Sequence, residues 1–484
     1  MWPALVNGQP FLFPDTTNYI RGADAAVYRL TGIKTDWTKE FFARYGALNT
    51  LDTQTDHPGA TADLPVTLAG RSIYYGALLY ISQAVYGFWL AALLQAMLTA
   101  LAILFTWERF ASPSSALRRY GGAFLIVVVV AGLTPAAYFA DFAMPDIFAA
   151  LGLLALAHLV FFPHRDSMTR GLFWFTILSF ALLAHSANIL LIGALFLLIM
   201  LGALCRWLPI RPAVFPTILA ALAIGIGGEA LFSATVHSFT GATPIRPPFL
   251  MARLIDGGPG YRFLRDTCPK NGFLICRYLP ILPLNSDTFL WQKQPGRGVF
   301  QASAPAEQRA LASEETAFVL AVARARPLDV ASSAIRSSLT QISLMGLSEF
   351  NYRENAQLFL HEKLPIAEAR HQARTAAIRG AMPTAPIARA TPMLAGASLF
   401  LLVIAAFVRP STHRRCPMGA TGGFTITVLA GLLLNDVITG TMSTPHDRYQ
   451  SRVIWLLPLL ALCALPSVVA AVERWRNGSA NRHH

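Results

Sequence analysis

The chain has 484 residues, of which 54% are hydrophobic and only 13% charged, against roughly 25% charged in a soluble domain. Several uninterrupted apolar runs approach the ~20 residues needed to cross a bilayer, which excludes an ordinary soluble enzyme and predicts a mainly α, polytopic transmembrane bundle. The net charge of +13 does not imply nucleic acid. The arginines, among them Arg109, Arg118, Arg119, Arg170, Arg206, Arg211 and Arg474, sit in short connections and near the C-terminus, as cytoplasmic charges do. No basic patch is interleaved with aromatics for base stacking.

In chain order, Met1-Trp2-Pro3-Ala4-Leu5-Val6 reads as the tail of a helix, so a further span before residue 1 is expected. Tyr19, Ile20, Ala23, Val27 and Leu30 recur at helical spacing, with Asp15 or Thr16 as the cap. Segment 72–85 follows with Tyr74 and Tyr75, rings suited to headgroup depth. Residues 13–85 therefore predict at least two interfacial helices. About nine spans are expected, at 86–107, 120–138, 147–163, 171–184, 188–205, 213–236, 391–408, 419–439 and 452–471, or ten with the upstream helix. Placing the arginine-rich connections inside puts residues 1–85, 139–146, 185–187, 237–390 and 440–451 outside and the C-terminus inside.

Three units follow: a membrane module at 1–236, an external domain at 237–390 and a C-terminal membrane module at 391–484. The external domain opens with Pro244, Pro247, Pro248 and Gly257-Gly258-Pro259-Gly260, a run of loop residues. Two helices are expected in it, Glu307 to Ala325 and Pro327 to Met345, the second amphipathic enough to lie on a membrane. Cys268 and Cys276 also fall there. They either close a short disulfide in an oxidising compartment or stay as free thiols, and no zinc spacing is present.

Three polar stations interrupt this apolar chain at its outer side. The first is Phe13-Pro14-Asp15-Thr16-Thr17-Asn18-Tyr19, and the second is Asp141-Phe142-Ala143-Met144-Pro145-Asp146. An unpaired carboxylate near hydrocarbon is costly, so two on one face suggest a site; the plain alternative for each is N-terminal capping. Asp141 competes with Asp146, which is favoured because Pro145 seats it at a helix start. The third station is Ser443-Thr444-Pro445-His446-Asp447-Arg448-Tyr449-Gln450-Ser451-Arg452. On a helix, Arg448 and Arg452 share a face, and paired guanidinium groups hold phosphate by forked, charge-assisted hydrogen bonds. Snorkelling anchorage is the alternative.

In order and sidedness these stations resemble the GT-C-type glycosyltransferases, polytopic enzymes that use polyprenyl-phosphate-linked sugars. Phe13-Pro14-Asp15 with Tyr19 matches the acidic residue of their first external loop. Met144-Pro145-Asp146-Ile147-Phe148 matches the acidic residue opening a later span, and His446-Asp447-Arg448-Tyr449 matches a late Arg-Tyr element. The resemblance implies an inverting transfer, at the outer face of a bacterial inner membrane, from a polyprenyl-phosphate sugar to a hydroxyl of a lipid, glycan or protein. It implies Asp15 as general base, Arg448 and Arg452 as stabilisers of the leaving phosphate, and His446 and Tyr449 as substrate contacts. Asp146 is either a ligand of a divalent cation such as Mg, Mn or Ca or a group that holds an arginine or the acceptor.

Lesser candidates are Arg71, which reaches phosphate or anchors the interface, and His185 with Asn188, which line a cavity or serve structure. His57 with Asp52 and Asp56 forms an unspecific acidic patch. Glu229 and Asp436 lie within apolar runs; they would be proton-relay groups in the alternative reading of a transporter or flippase for lipid-linked sugars. A non-catalytic assembly protein is the third reading.

Overall fold

The computed structural model describes residues 1–45, 71–163, 167–352, 364–408 and 419–480. Every named element among them is a helix. The N-terminal part comprises α1 (Trp2–Asn7), α2 (Thr16–Thr31), α3 (Asp36–Tyr45), α4 (Ile73–Tyr86), α5 (Trp89–Ala111), α6 (Ala116–Leu133), α7 (Ala136–Ala140) and α8 (Ile147–Phe161). It continues through α9 (Met168–Ala184), α10 (Ser186–Leu204) and α11 (Phe215–Thr240). The middle part holds α12 (Phe249–Asp256), α13 (Pro259–Thr267), α14 (Ser286–Trp291), α15 (Pro305–Ala325), α16 (Pro327–Ser343) and α17 (Ile366–Gln372). Last come α18 (Thr384–Val408), α19 (Ala420–Met442), α20 (Asp447–Ile454) and α21 (Leu456–Ala480).

Among the described residues, seven helical stretches are long and apolar enough to cross a membrane: α5, α6, α10, Pro212–Thr240, Thr384–Phe407, α19 and Asp447–Arg474. Two further apolar helices, α8 and α9, are shorter, with 15 and 17 residues. At 1.5 Å per residue, α8 is about 22 Å long, less than the ~30 Å hydrocarbon thickness. Burial explains how it is tolerated. Nearly every residue of α8 from Ile147 to Phe161 is buried against neighbouring helices, and a helix apolar all round belongs in such a core.

One apolar core joins the spans to α2, α4 and the N-terminal segment. A second, separate cluster is built from α12 to α15 around Met251, Ile255, Leu264, Phe289, Phe300, Leu311 and Phe318. Two adjacent glutamates on α15 fasten this lobe. Glu314 accepts the backbone amides of Leu274 and Ile275 at 2.8 and 3.0 Å, and Glu315 accepts those of Leu250 and Met251 at 2.7 and 3.3 Å. Each carboxylate thus satisfies N–H groups that a helical start leaves open. Cys268 and Cys276 are disulfide-bonded, with Cα atoms 5.7 Å apart. Leu347, Phe350, Tyr352, Ala377 and Met382 join the first core instead. Tyr352 Oη accepts from Leu12 N at 2.8 Å and donates to Leu12 O at 2.7 Å.

The helical bundle has two polar ends. At one, Glu108 near the end of α5 meets Arg119 of α6 at 3.5 Å and Arg170 of α9 at 2.5 Å. The opposite ends of these helices lead to Trp89, to Asp141 and to His185. Near that end of α5, Gln95 donates to the carbonyls of Ala140 and Phe142 at 3.0 and 2.9 Å and accepts from the Tyr75 hydroxyl at 2.9 Å. This second end is where the three polar stations gather.

Candidate functional site

The first two stations are joined by backbone. Phe11 N donates to Asp141 O at 3.0 Å, and Ala143 N donates to Phe11 O at 2.9 Å, an isolated parallel bridge between Phe11 and Phe142. Thr16 Oγ1 adds a bond to Ala143 O at 3.0 Å. Two short segments far apart in sequence are thereby joined, and the Asp15 and Asp146 they carry both act electrostatically on Tyr19. Both aspartates stand at helix N-cap positions, and neither carboxylate makes the cap bond. Their oxygens are used elsewhere.

Asp15 Oδ1 accepts from Arg71 Nη2 at 2.7 Å. Arg71 is aimed by its neighbour Ser72, which caps α4 by accepting from Tyr75 N at 3.2 Å and donates to Leu183 O at 2.6 Å. Both members of the Asp15–Arg71 pair retain access to solvent, at 21% and 25% exposure. Asp146 is deeper. Its Oδ1 lies 3.5 Å from Arg448 Nε and 3.4 Å from Arg452 Nη1, and all three side chains are at least nine-tenths buried. One turn of α20 separates the two arginines, so both reach the same oxygen.

The third station is braced from behind. Asn435, buried in α19, accepts from Arg452 Nη2 at 2.9 Å and donates to Tyr449 O at 2.8 Å. Asp436 beside it accepts from the Asn435 amide at 3.4 Å. The Arg448 guanidinium lies 4.5 Å from the Phe13 ring centroid and 5.3 Å from that of Tyr449, and Arg452 also lies 5.3 Å from the Tyr449 ring. Phe13 thus ties the first station to the third by a cation–π contact.

Tyr19 stands among these charges. Burial pushes its phenol well above the ordinary value; Arg71 opposes that shift, Asp15 and Asp146 add to it, and Arg448 opposes it. Gly76 on α4 permits this placement, because a β-carbon there would collide with the Tyr19 carbonyl. His185 borders the same space. Burial pushes its imidazole down to about 3, with Arg452, Arg71 and Arg448 adding to the effect against Asp15. The ring is therefore neutral near pH 7, and its Nδ1 caps α10 by accepting from Ala187 N at 3.1 Å.

The arrangement leaves donors unused. Arg71 Nε, Arg448 Nη1 and Arg452 Nε are buried with no hydrogen-bond partner among the described residues. A buried donor without a partner carries a desolvation penalty of ~1–3 kcal/mol, more when charged. All three arginines act electrostatically on His185, which places these donors in one neighbourhood. An apolar cavity of about 390 Å³ lies close by, lined by α4, α5, α8 and α9 through Leu78, Leu94, Leu98, Phe148 and Phe180. Phe148 is two residues from Asp146, and its ring lies 6.3 Å from that of Tyr75.

Of the other residues expected from sequence, His446 lies at the edge. Its Nε2 is 3.4 Å from Asp287 of α14 and its ring is 5.9 Å from that of Tyr449. Asp141 lies apart from the arginines. It is fully buried and accepts from Ala4 N at 2.9 Å, with the terminal amine 3.6 Å away. Burial raises its carboxyl to about 6, against the amine and the Ala4 bond, which lower it. Asn188 ties two helices through Ala181 O at 2.8 Å, and Glu229 pairs with Arg246 at 3.5 Å. Asp52, Asp56 and His57 lie outside the described residues. Asn435, Gln95, Gln341 and Asp287 were not anticipated, nor was the contact of Phe13 with Arg448. The available signal was polar side chains inside apolar spans, Gln95 and Asn435.

The cation that the resemblance implies fits this donor set poorly. Asp146 already faces two guanidinium groups and Asp15 one, and no group of three or more His, Cys, Asp or Glu gathers among the described residues. Comparison with protein-family models, with curated proteins and with solved structures gives no match.

Proposed function

We propose that this protein is an inverting membrane glycosyltransferase that moves a sugar from a polyprenyl-phosphate carrier to an acceptor hydroxyl. One observation carries the reading: three partnerless guanidinium nitrogens of Arg71, Arg448 and Arg452 border the place where Asp15, Asp146 and Tyr19 meet. A phosphate supplies the acceptors that those donors lack. The adjoining apolar cavity suits the carrier's hydrocarbon chain, which would enter sideways from the bilayer.

In this reading the acceptor oxygen attacks the anomeric carbon opposite the phosphate. The carbon–oxygen bond to phosphate breaks, and the phosphate leaves with the bonding pair. Asp15, at the accessible mouth, takes the hydroxyl proton. Arg448 and Arg452 stabilise the charge growing on the phosphate, while Asp146 holds both arginines in place. In-line attack inverts the anomeric centre. No step is routed through a metal ion, because the carboxylates are committed to arginines.

The bundle then has nine spans, with α8 and α9 as the short ones, and the lobe of α12–α15 is external. The Cys268–Cys276 bond fits an oxidising compartment, the periplasm of a bacterial inner membrane, with the arginine-rich end of α5, α6 and α9 cytoplasmic. Partners are membrane lipid, the sugar-carrying lipid and a lipid, glycan or protein acceptor, with no role for nucleic acid. The test is transfer by purified protein from a panel of radiolabelled polyprenyl-phosphate sugars to a membrane-lipid extract. Transfer that Asp15→Asn abolishes supports the reading. Full activity in Asp15→Asn removes the proposed base, and uptake into proteoliposomes without transfer favours a transporter.

A further inference from the structure

Helix α16 has two faces with different fates. Ser337, Ser338 and Gln341 point into the protein, and a β-carbon on Gly440 of α19 would meet the Ser337 carbonyl oxygen at 2.9 Å. The helix therefore packs closely across the end of a candidate span. On the other face Leu328, Ile335 and Leu339 are 83%, 62% and 62% exposed. Seven and eleven residues after Leu328, at 100° per residue, Ile335 and Leu339 return to within about 20° of its direction. The three form one apolar stripe roughly opposite Ser337.

What covers the stripe is indicated by its surroundings. The helix beneath it, α19, exposes Ile426, Leu433 and Val437, an apolar face that a membrane-crossing helix turns to lipid. Val437 is one turn from Gly440, where α16 crosses. The stripe therefore continues a lipid-facing surface around a corner at the span's end. Arg336, exposed beside the stripe, is placed as a headgroup contact, the arrangement of a helix lying in the interfacial plane.

We propose that α16 is seated in the bilayer interface, with Leu328, Ile335 and Leu339 among lipid and the opposite face braced on α19. This rests on membrane embedding and not on the transferase reading. The seat has a consequence for the site. Gln341 on the inner face holds both backbone polar groups of one residue, donating to His446 O at 2.9 Å and accepting from His446 N at 3.0 Å. Ser451 Oγ donates to Gly346 O at 2.8 Å just beyond. His446 opens α20, which carries Arg448 and Arg452, so lipid seating fixes the register of the arginine helix.

The test uses nitroxide labels at Ile335→Cys and Leu339→Cys, made in full-length protein with Cys205→Ser and Cys416→Ser and with the native disulfide kept. Both labelled sites are exposed, so packing is untouched. The protein is placed in nanodiscs of phosphatidylethanolamine and phosphatidylglycerol. Collision with oxygen is compared with collision with a water-soluble nickel chelate, against a control label at Lys293→Cys, which is exposed on the lobe and away from the disulfide. The expected result is an oxygen-to-nickel ratio several-fold higher at both stripe positions than at the control. A ratio equal to the control puts the stripe in water and overturns the proposal. Exclusion of both reagents, or spin–spin broadening between copies, puts protein on the stripe and overturns it equally.

Discussion

The guanidinium of Arg448 stacks 4.5 Å from the ring of Phe13, joining the first polar segment of the chain to the last. Through Asp146, 3.5 Å from Arg448 Nε, the same side chain is tied to the second. A planar cation is needed for both contacts at once. Arg448→Lys keeps the charge but loses the stack and the fork. A charged hydrogen bond contributes ~1.5–3 kcal/mol, so the donor KM is expected to rise about tenfold to hundredfold with the fold retained. Steady-state kinetics against donor concentration check this, and an unchanged KM takes Arg448 out of phosphate binding.

Asp146 is predicted to matter first for stability. Removing its carboxylate leaves Arg448 and Arg452 buried without their counter-ion. Breaking a buried ion pair from one side typically costs ~3–5 kcal/mol. Asp146→Ala is therefore expected to lower the melting temperature of the purified protein sharply, and Asp146→Asn less, because the amide oxygen still accepts. Wild-type melting of Asp146→Ala would show that Asp146 does not hold the arginines.

Asp15 behaves in the opposite way. Its pair with Arg71 is partly exposed, and screened pairs contribute only ~0–1 kcal/mol. Asp15→Asn is expected to melt like the wild type and to lose transfer by about 10²–10⁴-fold, the range that general-base groups supply. A large drop in melting temperature would instead mark Asp15 as a structural residue.

Asp141 gives a pH prediction. Its folded value of about 6 lies above the ordinary 3.8. A raised carboxyl binds its proton more tightly in the folded state, so its contribution to stability is full below about pH 3.8. That contribution is lost as pH rises through about 6. Asp141→Asn removes the titration, and the gap in melting temperature between variant and wild type should widen in the variant's favour from pH 4 to pH 6.5. A gap that does not change with pH would show that Asp141 does not titrate in this window.

Much of this architecture was legible because hydrophobic length is a strong signal. The break at His185, the paired helices after Pro305 and Pro327, and the polar stations all follow from local chemistry. Nine expected spans became seven long apolar stretches and two short ones. Sequence length does not reveal that α8 is enclosed by other helices and need not meet lipid on its own. Asp15 and Asp146 were recognisable as unusual, but their choice of partner was not. Capping and ion pairing use the same carboxylate, and only tertiary placement of Arg71, Arg448 and Arg452 decides between them. Asn435 was passed over for Asp436 because a charge draws notice where an amide does the bracing. Pro145 favoured Asp146 over Asp141 in the sequence, but not their partners; the fold turns Asp141 toward the amide of Ala4 and Asp146 toward two guanidinium groups.

The central claim is that the partnerless arginine nitrogens receive a lipid-borne phosphate. Equilibrium binding of undecaprenyl phosphate and of undecaprenol to the wild-type protein in nanodiscs tests it without knowledge of sugar or acceptor. The phosphate is expected to bind at least about tenfold tighter, the effect of one or more charge-assisted hydrogen bonds. Equal affinity for the uncharged alcohol would contradict it.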